Sequence, residues 1–351
     1  MKVVFKILFF TLFLVSIVRC AKDKEDEDVY KTTPYVLTIP TGFPQMQIPA
    51  DNPFTNEGIA LGKKLFYEKL LSGNNTQSCE SCHNQALAFT DNGNRFSTGI
   101  QGIEGNRNSQ PLMNLGFNLH YFWDGRKTTL ENQILEPVPN PIEMHQSWIL
   151  AMSKLNAHPE YPTLFKQAFN TDRIDSMHVV KAIAQFLRTM ISSNSRLDKR
   201  LNNTGNLTNS ELNGLVIFKT EKGDCFHCHQ IDGSRLLTDN QFHNNGLDAT
   251  FTDLGRGAIT GNASDNGKFL TPTLRNIALT APYMHDGRFQ TLEQVINHYD
   301  SGGVSSPTVD PLMKHVGTGL NLTNQEKADL LAFLRTFTDS TFINDTRFKQ
   351  P

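Results

Sequence analysis

The pentapeptide Cys-x-x-Cys-His occurs twice in this chain, and no other feature limits the possible folds as strongly. In such a motif the two thiols bond to the vinyl groups of a haem, and the histidine, held beside the macrocycle, becomes an axial ligand of the iron. A chain that carries two such motifs is predicted to bind two haems covalently and to build its core around them. The predicted attachment residues are Cys79, Cys82, His83, Cys225, Cys228 and His229.

Zinc binding and disulfide bonding are the alternative uses of these cysteines. Four of the five cysteines lie in the two motifs, which leaves only Cys20. Cysteine pairs that share a zinc ion usually lie closer in sequence than Cys82 and Cys225, and zinc does not require a histidine after each pair. The trailing histidines therefore favour haem attachment.

The first 20 residues have the pattern of an export signal. Lysines near the start precede an apolar run at residues 7–18, which is too short for an ordinary membrane span. Cys20 ends this run, as in bacterial lipoproteins, although Arg19 replaces the usual small residue before the cleavage site. We predict a lipoprotein-type signal peptide, with a lipid on Cys20 as the only membrane attachment; an ordinary signal peptide or an uncleaved anchor is the alternative. The predicted location is the periplasm or outer membrane of a Gram-negative bacterium.

Residues 21–52 combine a charged run with a proline-rich stretch, and such a composition predicts a flexible tether. The net charge of −2 gives no sign of nucleic-acid binding. About 300 residues remain, which is enough for two domains.

The chain repeats itself around the two motifs. Phe122-Trp-Asp-Gly-Arg126 follows the first motif, and Met284-His-Asp-Gly-Arg288 follows the second. The tetrapeptide Phe-Leu-Arg-Thr occurs at residues 186–189 and again at residues 333–336, each time after apolar residues at helical spacing. Each half of the chain is therefore predicted to close on a helix.

Asp175 and Thr323 are the predicted starts of these two helices. The expected fold is all-α, with two cytochrome c-like haem domains related by internal duplication. Residues 53–203 form the predicted N-terminal domain and residues 204–351 the C-terminal domain, divided at a polar Gly/Asn segment.

Taken together, these motifs resemble those of the bacterial di-haem cytochrome c peroxidases, a family that includes MauG. The resemblance extends over residues 52–338 and implies that peroxide reacts at the N-terminal haem while electrons enter through the C-terminal haem. The motifs that carry it are Phe122-Trp-Asp-Gly-Arg126, Asn140-Pro-Ile-Glu-Met144, Pro272-Thr-Leu-Arg-Asn276 and Pro282-Tyr-Met-His-Asp-Gly287.

The resemblance implies roles for three catalytic residues. Glu143 matches the acid–base residue, Gln133 the amide of the same distal pocket, and Trp123 the aromatic residue that carries electrons between the haems. A carboxylate in a partly apolar pocket has a raised pKa, which suits proton transfer. Without the motif, Glu143 would be interpreted as a loop cap, Gln133 as a surface amide and Trp123 as core packing. His285 takes the place of Trp123 in the second repeat, where a hydrogen bond to a haem propionate is expected.

The chain departs from many family members in the loop after the first motif. Those members carry a histidine there that blocks the peroxidatic iron, whereas this chain has Ile100 and no histidine between His83 and His120. Isoleucine cannot bind iron. The N-terminal haem is therefore predicted to be five-coordinate, with no need for reductive activation.

The sixth ligand of the C-terminal haem is a methionine in many family members and a tyrosine in MauG. Tyr299 occupies the matching position and shares a helix face with apolar residues such as Val295 and Ile296. Tyr299 is the predicted ligand, while Met313 and Met284 remain alternatives.

The resemblance also implies a calcium ion between the domains. Asn108, Thr280 and Pro282 match its ligand positions, and they offer the oxygen donors that calcium prefers.

The predicted activity is reduction of H₂O₂ to water by a di-haem c-type peroxidase, with electrons from a small donor protein (a cytochrome c or cupredoxin) or the reduced quinone pool. The first alternative is a MauG-like oxidase that uses a high-valent di-haem state on a protein or organic substrate. The second is a plain electron-transfer cytochrome, which would gain nothing from Glu143. A homodimer is expected from the resemblance.

Overall fold

The computed structural model describes residues 30–351, and it is mostly helical. The predicted signal peptide and Cys20 lie outside the described residues. The helices are α1 (Asn56–Phe66), α2 (Leu130–Ile134), α3 (Trp148–Ala157), α4 (Tyr161–Phe169), α5 (Ser176–Thr189), α6 (Arg196–Leu201), α7 (Asn209–Phe218), α8 (Gly257–Thr260), α9 (Leu292–Asp300), α10 (Asn324–Arg335) and α11 (Ser340–Ile343).

Strand structure within residues 30–351 is limited to one short antiparallel pair. Strand β1 (Phe242–His243) pairs with β2 (Phe269–Leu270), so the prediction of an all-α fold is correct only in its helical part. None of the helices in this described range has the length and apolar character needed to cross a membrane.

The two predicted helix starts are confirmed. Asp175 caps α5 by accepting a hydrogen bond from the backbone N–H of His178, and Thr323 caps α10 in a capping box with Glu326. Both caps satisfy backbone N–H groups that have no partner inside the helix.

The N-terminal half is organised by the packing of α1 on α5. Gly62 of α1 lies against the backbone of α5, and a Cβ atom at this position would overlap the carbonyl oxygen of Ala182. This close approach buries Leu65 and Phe66 against Phe186, so the two helices form one wall of the apolar core.

The C-terminal half repeats this packing with α7 and α10. A Cβ atom at Gly214 would overlap the carbonyl oxygen of Asp329, and Phe218 packs edge-on against Phe333 at 5.4 Å between ring centroids. The glycine lies four residues before the phenylalanine in both α1 and α7, so the two helix crossings have the same register.

The described part of the predicted tether is packed against the body of the protein. Met46 is buried with Phe54 and Phe117 of the N-terminal half and Leu236 of the C-terminal half, and the Arg275 guanidinium lies 4.7 Å from the ring centroid of Phe43. The prediction of a flexible tether is therefore wrong for this part, because its apolar side chains fill the seam between the halves.

The C-terminal end of the chain returns to the N-terminal half. Phe342 of α11 and Phe348 are buried in the N-terminal core, where both contact Phe89. The Tyr67 hydroxyl donates a hydrogen bond of 2.5 Å to the carbonyl oxygen of Phe348. The last residues of the predicted C-terminal domain thus complete the other core.

Candidate functional site

The first Cys-x-x-Cys-His motif forms a tight turn that ends in a buried imidazole. Cys79 begins a single 3₁₀ turn, and the His83 backbone N–H donates to the carbonyl oxygen of Glu80. His83 Nδ1 lies 2.8 Å from the carbonyl oxygen of Phe89. Because a carbonyl oxygen only accepts, Nδ1 carries the proton and Nε2 keeps its lone pair for a metal. Burial lowers the pKa of His83, which favours this neutral form.

The histidine of the second motif makes the same side-chain contact, although its backbone N–H donates to the carbonyl oxygen of Cys225, four residues earlier. His229 Nδ1 lies 3.0 Å from the carbonyl oxygen of Leu237, and burial lowers its pKa in the same way. Burial also raises the pKa of Cys79 and of Cys225 to about 12, so both thiols are neutral.

Each motif lines its own large cavity. Cys79, Cys82 and His83 line the N-terminal cavity together with apolar residues from α1 and α5. The three residues of the second motif line the C-terminal cavity with apolar residues from α9 and α10. Two thiols and a lone-pair nitrogen on the wall of an apolar cavity fit a covalently attached haem in each half.

The proposed acid–base residue faces the N-terminal cavity. Glu143 and Gln133 both line it, and Asn140 Nδ2 donates a 2.6 Å hydrogen bond to Glu143 Oε1. Burial raises the pKa of Glu143, while the Asn140 hydrogen bond and the charge of Arg126 act in the opposite direction. Glu143 and Gln133 therefore lie on the wall of the same cavity as His83.

The loop that lacks a histidine packs directly on the Glu143 loop. The Ile100 backbone N–H donates to the carbonyl oxygen of Glu143 at 2.9 Å, and Gly99 packs against the backbone of Ile142. Ser97, Thr98 and Gly99 line the cavity. This stretch therefore presents no imidazole to the cavity.

Trp123 lies on the wall of both cavities. Its indole Nε1 donates a 2.8 Å hydrogen bond to the carbonyl oxygen of Asn108, and its own carbonyl oxygen accepts from the backbone N–H of Leu270 at 2.8 Å. These bonds join residues from both halves and fix the indole between the two cavities.

All three proposed sixth ligands line the C-terminal cavity, as Tyr299, Met284 and Met313. The Asn245 amide donates to the Tyr299 hydroxyl at 3.2 Å and approaches the Met284 sulfur at 3.4 Å. Burial raises the pKa of Tyr299 to about 12. The predicted helix face is confirmed, because Val295 and Ile296 line the same cavity.

The three residues proposed for calcium, Asn108, Thr280 and Pro282, all line the C-terminal cavity. His285 also lines this cavity and stacks on Phe269 at 3.7 Å between ring centroids. The backbone N–H of Asn108 donates to the carbonyl oxygen of His285 at 2.7 Å. The two halves therefore meet at these residues.

Comparison with known proteins agrees with this geometry. The chain is 36% identical over 292 residues to methylamine utilization protein MauG of Methylorubrum extorquens, covering 82% of this chain and 80% of that protein. It is 33% identical over 299 residues to cytochrome c551 peroxidase of Nitrosomonas europaea, covering 84% of each. The family model for di-haem cytochrome c peroxidase matches residues 56–206. The chain belongs to the di-haem cytochrome c peroxidase family.

Solved structures agree with this assignment. The chain is 38% identical to a MauG-like protein associated with microbial copper homeostasis, with a TM-score of 0.84 over 90% of this chain and 99% of that one. The diheme peroxidase BthA of Burkholderia thailandensis, at 22% identity and a TM-score of 0.72, shares the fold. As a member of this family, the chain is a peroxidase-type oxidoreductase with two haem c groups.

Sequence reasoning missed a charged cluster in this peroxidase, at the edge of the C-terminal cavity. His243 lies between Asp239 and Asp310, with ring nitrogens 2.8 and 2.6 Å from their carboxylate oxygens. Burial opposes the charge on this imidazole, yet Asp239, Cys228 and Asp310 together raise its pKa to about 11. Asp310 is 67 residues away in sequence, so no local spacing points to this contact.

Arg107 is a second residue that the sequence did not single out. Its guanidinium donates to Asp124 at 2.6 Å and to Asp253 at 2.7 Å, and so links the segment after Trp123 to the C-terminal half. Only the position of Arg107 directly before Asn108 hinted at such a role.

Proposed function

We propose that this peroxidase reduces H₂O₂ to water in the N-terminal cavity, with electrons delivered from the C-terminal cavity. One observation carries the proposal: Trp123 lines both cavities, whereas Glu143 and Gln133 line only the N-terminal one. The two cavities therefore differ in their acid–base groups but share one aromatic wall residue.

The chain's own residues would carry out the proton transfers of the reaction. Haem iron supplies the site that binds and reduces peroxide. Glu143 accepts a proton from the near oxygen of H₂O₂ and returns it to the far oxygen, while Asn140 orients the carboxylate and Gln133 donates a hydrogen bond to the bound peroxide. With two electrons and two further protons, each H₂O₂ yields two waters.

Electrons would enter at the C-terminal cavity and pass through Trp123. The indole is fixed between the two cavities by its hydrogen bond to the carbonyl oxygen of Asn108. We propose a small cytochrome c or cupredoxin, or the reduced quinone pool, as the electron source.

We further propose that the N-terminal haem is five-coordinate and that Tyr299 is the sixth ligand of the C-terminal one. The absence of a histidine in the Ile100 loop supports the first assignment. The hydrogen bond from Asn245 to the Tyr299 hydroxyl supports the second, because an amide donor stabilises a phenolate. Met284 also contacts Asn245 and remains the rival ligand, together with Met313.

A MauG-like oxidation of a protein or organic substrate is the second proposed function. A phenolate ligand stabilises high oxidation states of iron, whereas a thioether favours the reduced state. Two observations favour this oxidase function: Tyr299 lies on the cavity wall, and the chain is 38% identical to a MauG-like protein.

We propose that the two halves arose by internal duplication, with the division near residue 203. The equivalent glycine contacts of α1 and α7 support this, as do the two motif histidines that donate to carbonyl oxygens. Tyr121 and Tyr283 form a further matching pair, since each hydroxyl donates to the carbonyl oxygen six residues earlier.

We also propose that the protein binds calcium at Asn108, Thr280 and Pro282. It would be exported, carry a lipid on Cys20 and form a homodimer. The shared cavity wall of the three oxygen donors supports the calcium site. Covalent haem attachment on the far side of the inner membrane supports export.

Two measurements on the fully oxidised holoprotein test the proposal. EPR is expected to give one high-spin ferric signal and one low-spin signal; two low-spin signals would contradict a five-coordinate N-terminal haem. Steady-state consumption of H₂O₂ with reduced cytochrome c is expected, and its absence would refute the peroxidase assignment. A spectral change that persists after H₂O₂ is added without an electron donor would favour the MauG-like oxidase function.

A further inference from the structure

Three potential metal ligands meet beside the second haem motif, at a place to which the peroxidase reaction assigns no role. Glu221, Asp224 and His227 each offer one donor atom, and these three atoms lie within 4.8 Å of one another. Asp224 and Lys314, the fourth member of the cluster, line the rim of the C-terminal cavity.

The two distances from the imidazole to the carboxylates match those between ligands on one small cation. His227 Nε2 lies 3.2 Å from Asp224 Oδ1 and 3.3 Å from Glu221 Oε1. Two ligands bound to one ion at about 2.0–2.2 Å, at angles between square and tetrahedral, are separated by roughly 2.8–3.6 Å.

The cluster cannot satisfy its own hydrogen bonds. The Lys314 ammonium lies 2.9 Å from His227 Nε2, and ammonium can only donate, so this contact requires a lone pair on the nitrogen. The same nitrogen faces two carboxylate oxygens, which only accept and would require a proton there. No single tautomer of His227 satisfies both kinds of neighbour.

Asp224 provides an independent observation that points to a cation ligand. Its side chain is only 10% exposed, and its Oδ1, which faces His227 Nε2, has no hydrogen-bond partner. A buried carboxylate oxygen without a partner is costly. Lys314 Nζ contacts Glu221 at 2.6 Å but stays 3.8 Å from Asp224, so the ammonium neutralises this oxygen poorly.

We propose that Glu221, Asp224 and His227 form a binding site for a divalent first-row transition-metal ion at the rim of the C-terminal cavity. One cation would satisfy the imidazole lone pair and both carboxylates at once, and Lys314 would swing out to solvent. One imidazole with two carboxylates suits Zn²⁺ or Cu²⁺ better than the all-oxygen ions Ca²⁺ and Mg²⁺. The Lys314 ammonium is then a competitor for the site.

Equilibrium dialysis of the oxidised holoprotein against Zn²⁺, with metal analysis, tests the proposal. We expect one Zn²⁺ per chain, a loss of affinity of at least tenfold in Asp224→Asn and in His227→Asn, and a tighter site in Lys314→Met. His227 occupies a variable position of its motif, so His227→Asn leaves the haem attachment residues unchanged, which the protein mass verifies.

Lys219→Met is the matched control, because Lys219 forms an ion pair with Asp232 elsewhere in the same half at 2.6 Å. It removes the same charge and is expected to leave the Zn²⁺ affinity unchanged. Cu²⁺ added at one equivalent should give an EPR signal with coupling to one nitrogen, which His227→Asn abolishes. The proposal is refuted if Asp224→Asn and the natural chain bind Zn²⁺ equally, or if Lys314→Met weakens binding.

Discussion

The pKa of the Glu143 carboxyl group is set by the groups that surround it. Burial favours the neutral carboxylic acid, whereas the Asn140 amide and the Arg126 guanidinium favour the carboxylate. The balance leaves the pKa above its ordinary value, and thus closer to the pH at which a proton must be both taken and returned. The sequence motif predicts the residue, but only the folded loop brings these opposing neighbours together.

Replacing Glu143 with glutamine should lower kcat/KM for H₂O₂ by about 10²–10⁴-fold, because the amide cannot accept the peroxide proton. Steady-state turnover with reduced cytochrome c measures this. Glu160→Gln is the control, since Glu160 forms an exposed ion pair with Lys64 and its charge does not act on Glu143. Equal losses in the two variants would show that charge alone, and not proton transfer, explains the effect.

The pH dependence of turnover should report the raised pKa of Glu143. The carboxylate is the form that accepts a proton, so kcat/KM should rise with pH through a pKa above 4.5. Asn140→Ala removes a hydrogen bond that lowers this pKa, and the acid limb should therefore move to higher pH. A shift to lower pH in this variant would mean that Glu143 is not the titrating group.

Tyr299→Phe should change the electronic spectrum and the low-spin EPR signal of the C-terminal haem, because the phenolate oxygen is lost. Tyr283 provides a matched control: it is a buried tyrosine on the wall of the same cavity, and its hydroxyl donates to the carbonyl oxygen of Ile277. Tyr283→Phe should leave both spectra unchanged. An unchanged spectrum in Tyr299→Phe would transfer the ligand role to Met284 or Met313.

At the scale of helices, periodicity and capping residues predicted α5 and α10 from their first residues, since both rules act within a few residues of the chain. The same local rules placed Tyr299 on the cavity side of α9. They did not predict that Met46 would be buried, because it packs with Phe117 and Leu236, which are far away in sequence. The contacts of His243 with Asp310 and of Lys314 with Glu221 escaped prediction for the same reason.

Gly62→Ala should destabilise the holoprotein by about 1–3 kcal/mol, because the added methyl group overlaps the carbonyl oxygen of Ala182 and pushes α1 from α5. Chemical denaturation followed by circular dichroism measures the loss. Gly105→Ala is the control, since the nearest atoms to a Cβ there lie 3.8 and 3.9 Å away. Similar losses at the two positions would indicate a general glycine effect.

At the scale of the whole molecule, one buried arginine holds separate parts of the chain together. Arg275 is 1% exposed; its guanidinium donates two 2.8 Å hydrogen bonds to Asp198 of α6 and a further 2.8 Å bond to the carbonyl oxygen of Arg235. Its face covers Phe43 of the N-terminal segment. The arrangement of the two cavities therefore depends on contacts that no single half contains.

Arg275→Met should lower the free energy of unfolding by roughly 3–5 kcal/mol, because it leaves the Asp198 carboxylate buried without its partner. Denaturant titration of the holoprotein provides the measurement. Arg335→Met is the control. The side chains of Arg335 and Glu293 are 62% and 53% exposed, so their ion pair should contribute about 0–1 kcal/mol to stability. A small loss in Arg275→Met would mean that water reaches Asp198 in the seam.

The return of Phe342 and Phe348 to the first core makes closure of that core depend on a distant part of the chain. Both rings contact Phe89, so the first core lacks two of its buried aromatic side chains until these later residues have docked. We therefore expect the thiols of Cys79 and Cys82 to be more accessible to haem attachment before this docking than after it.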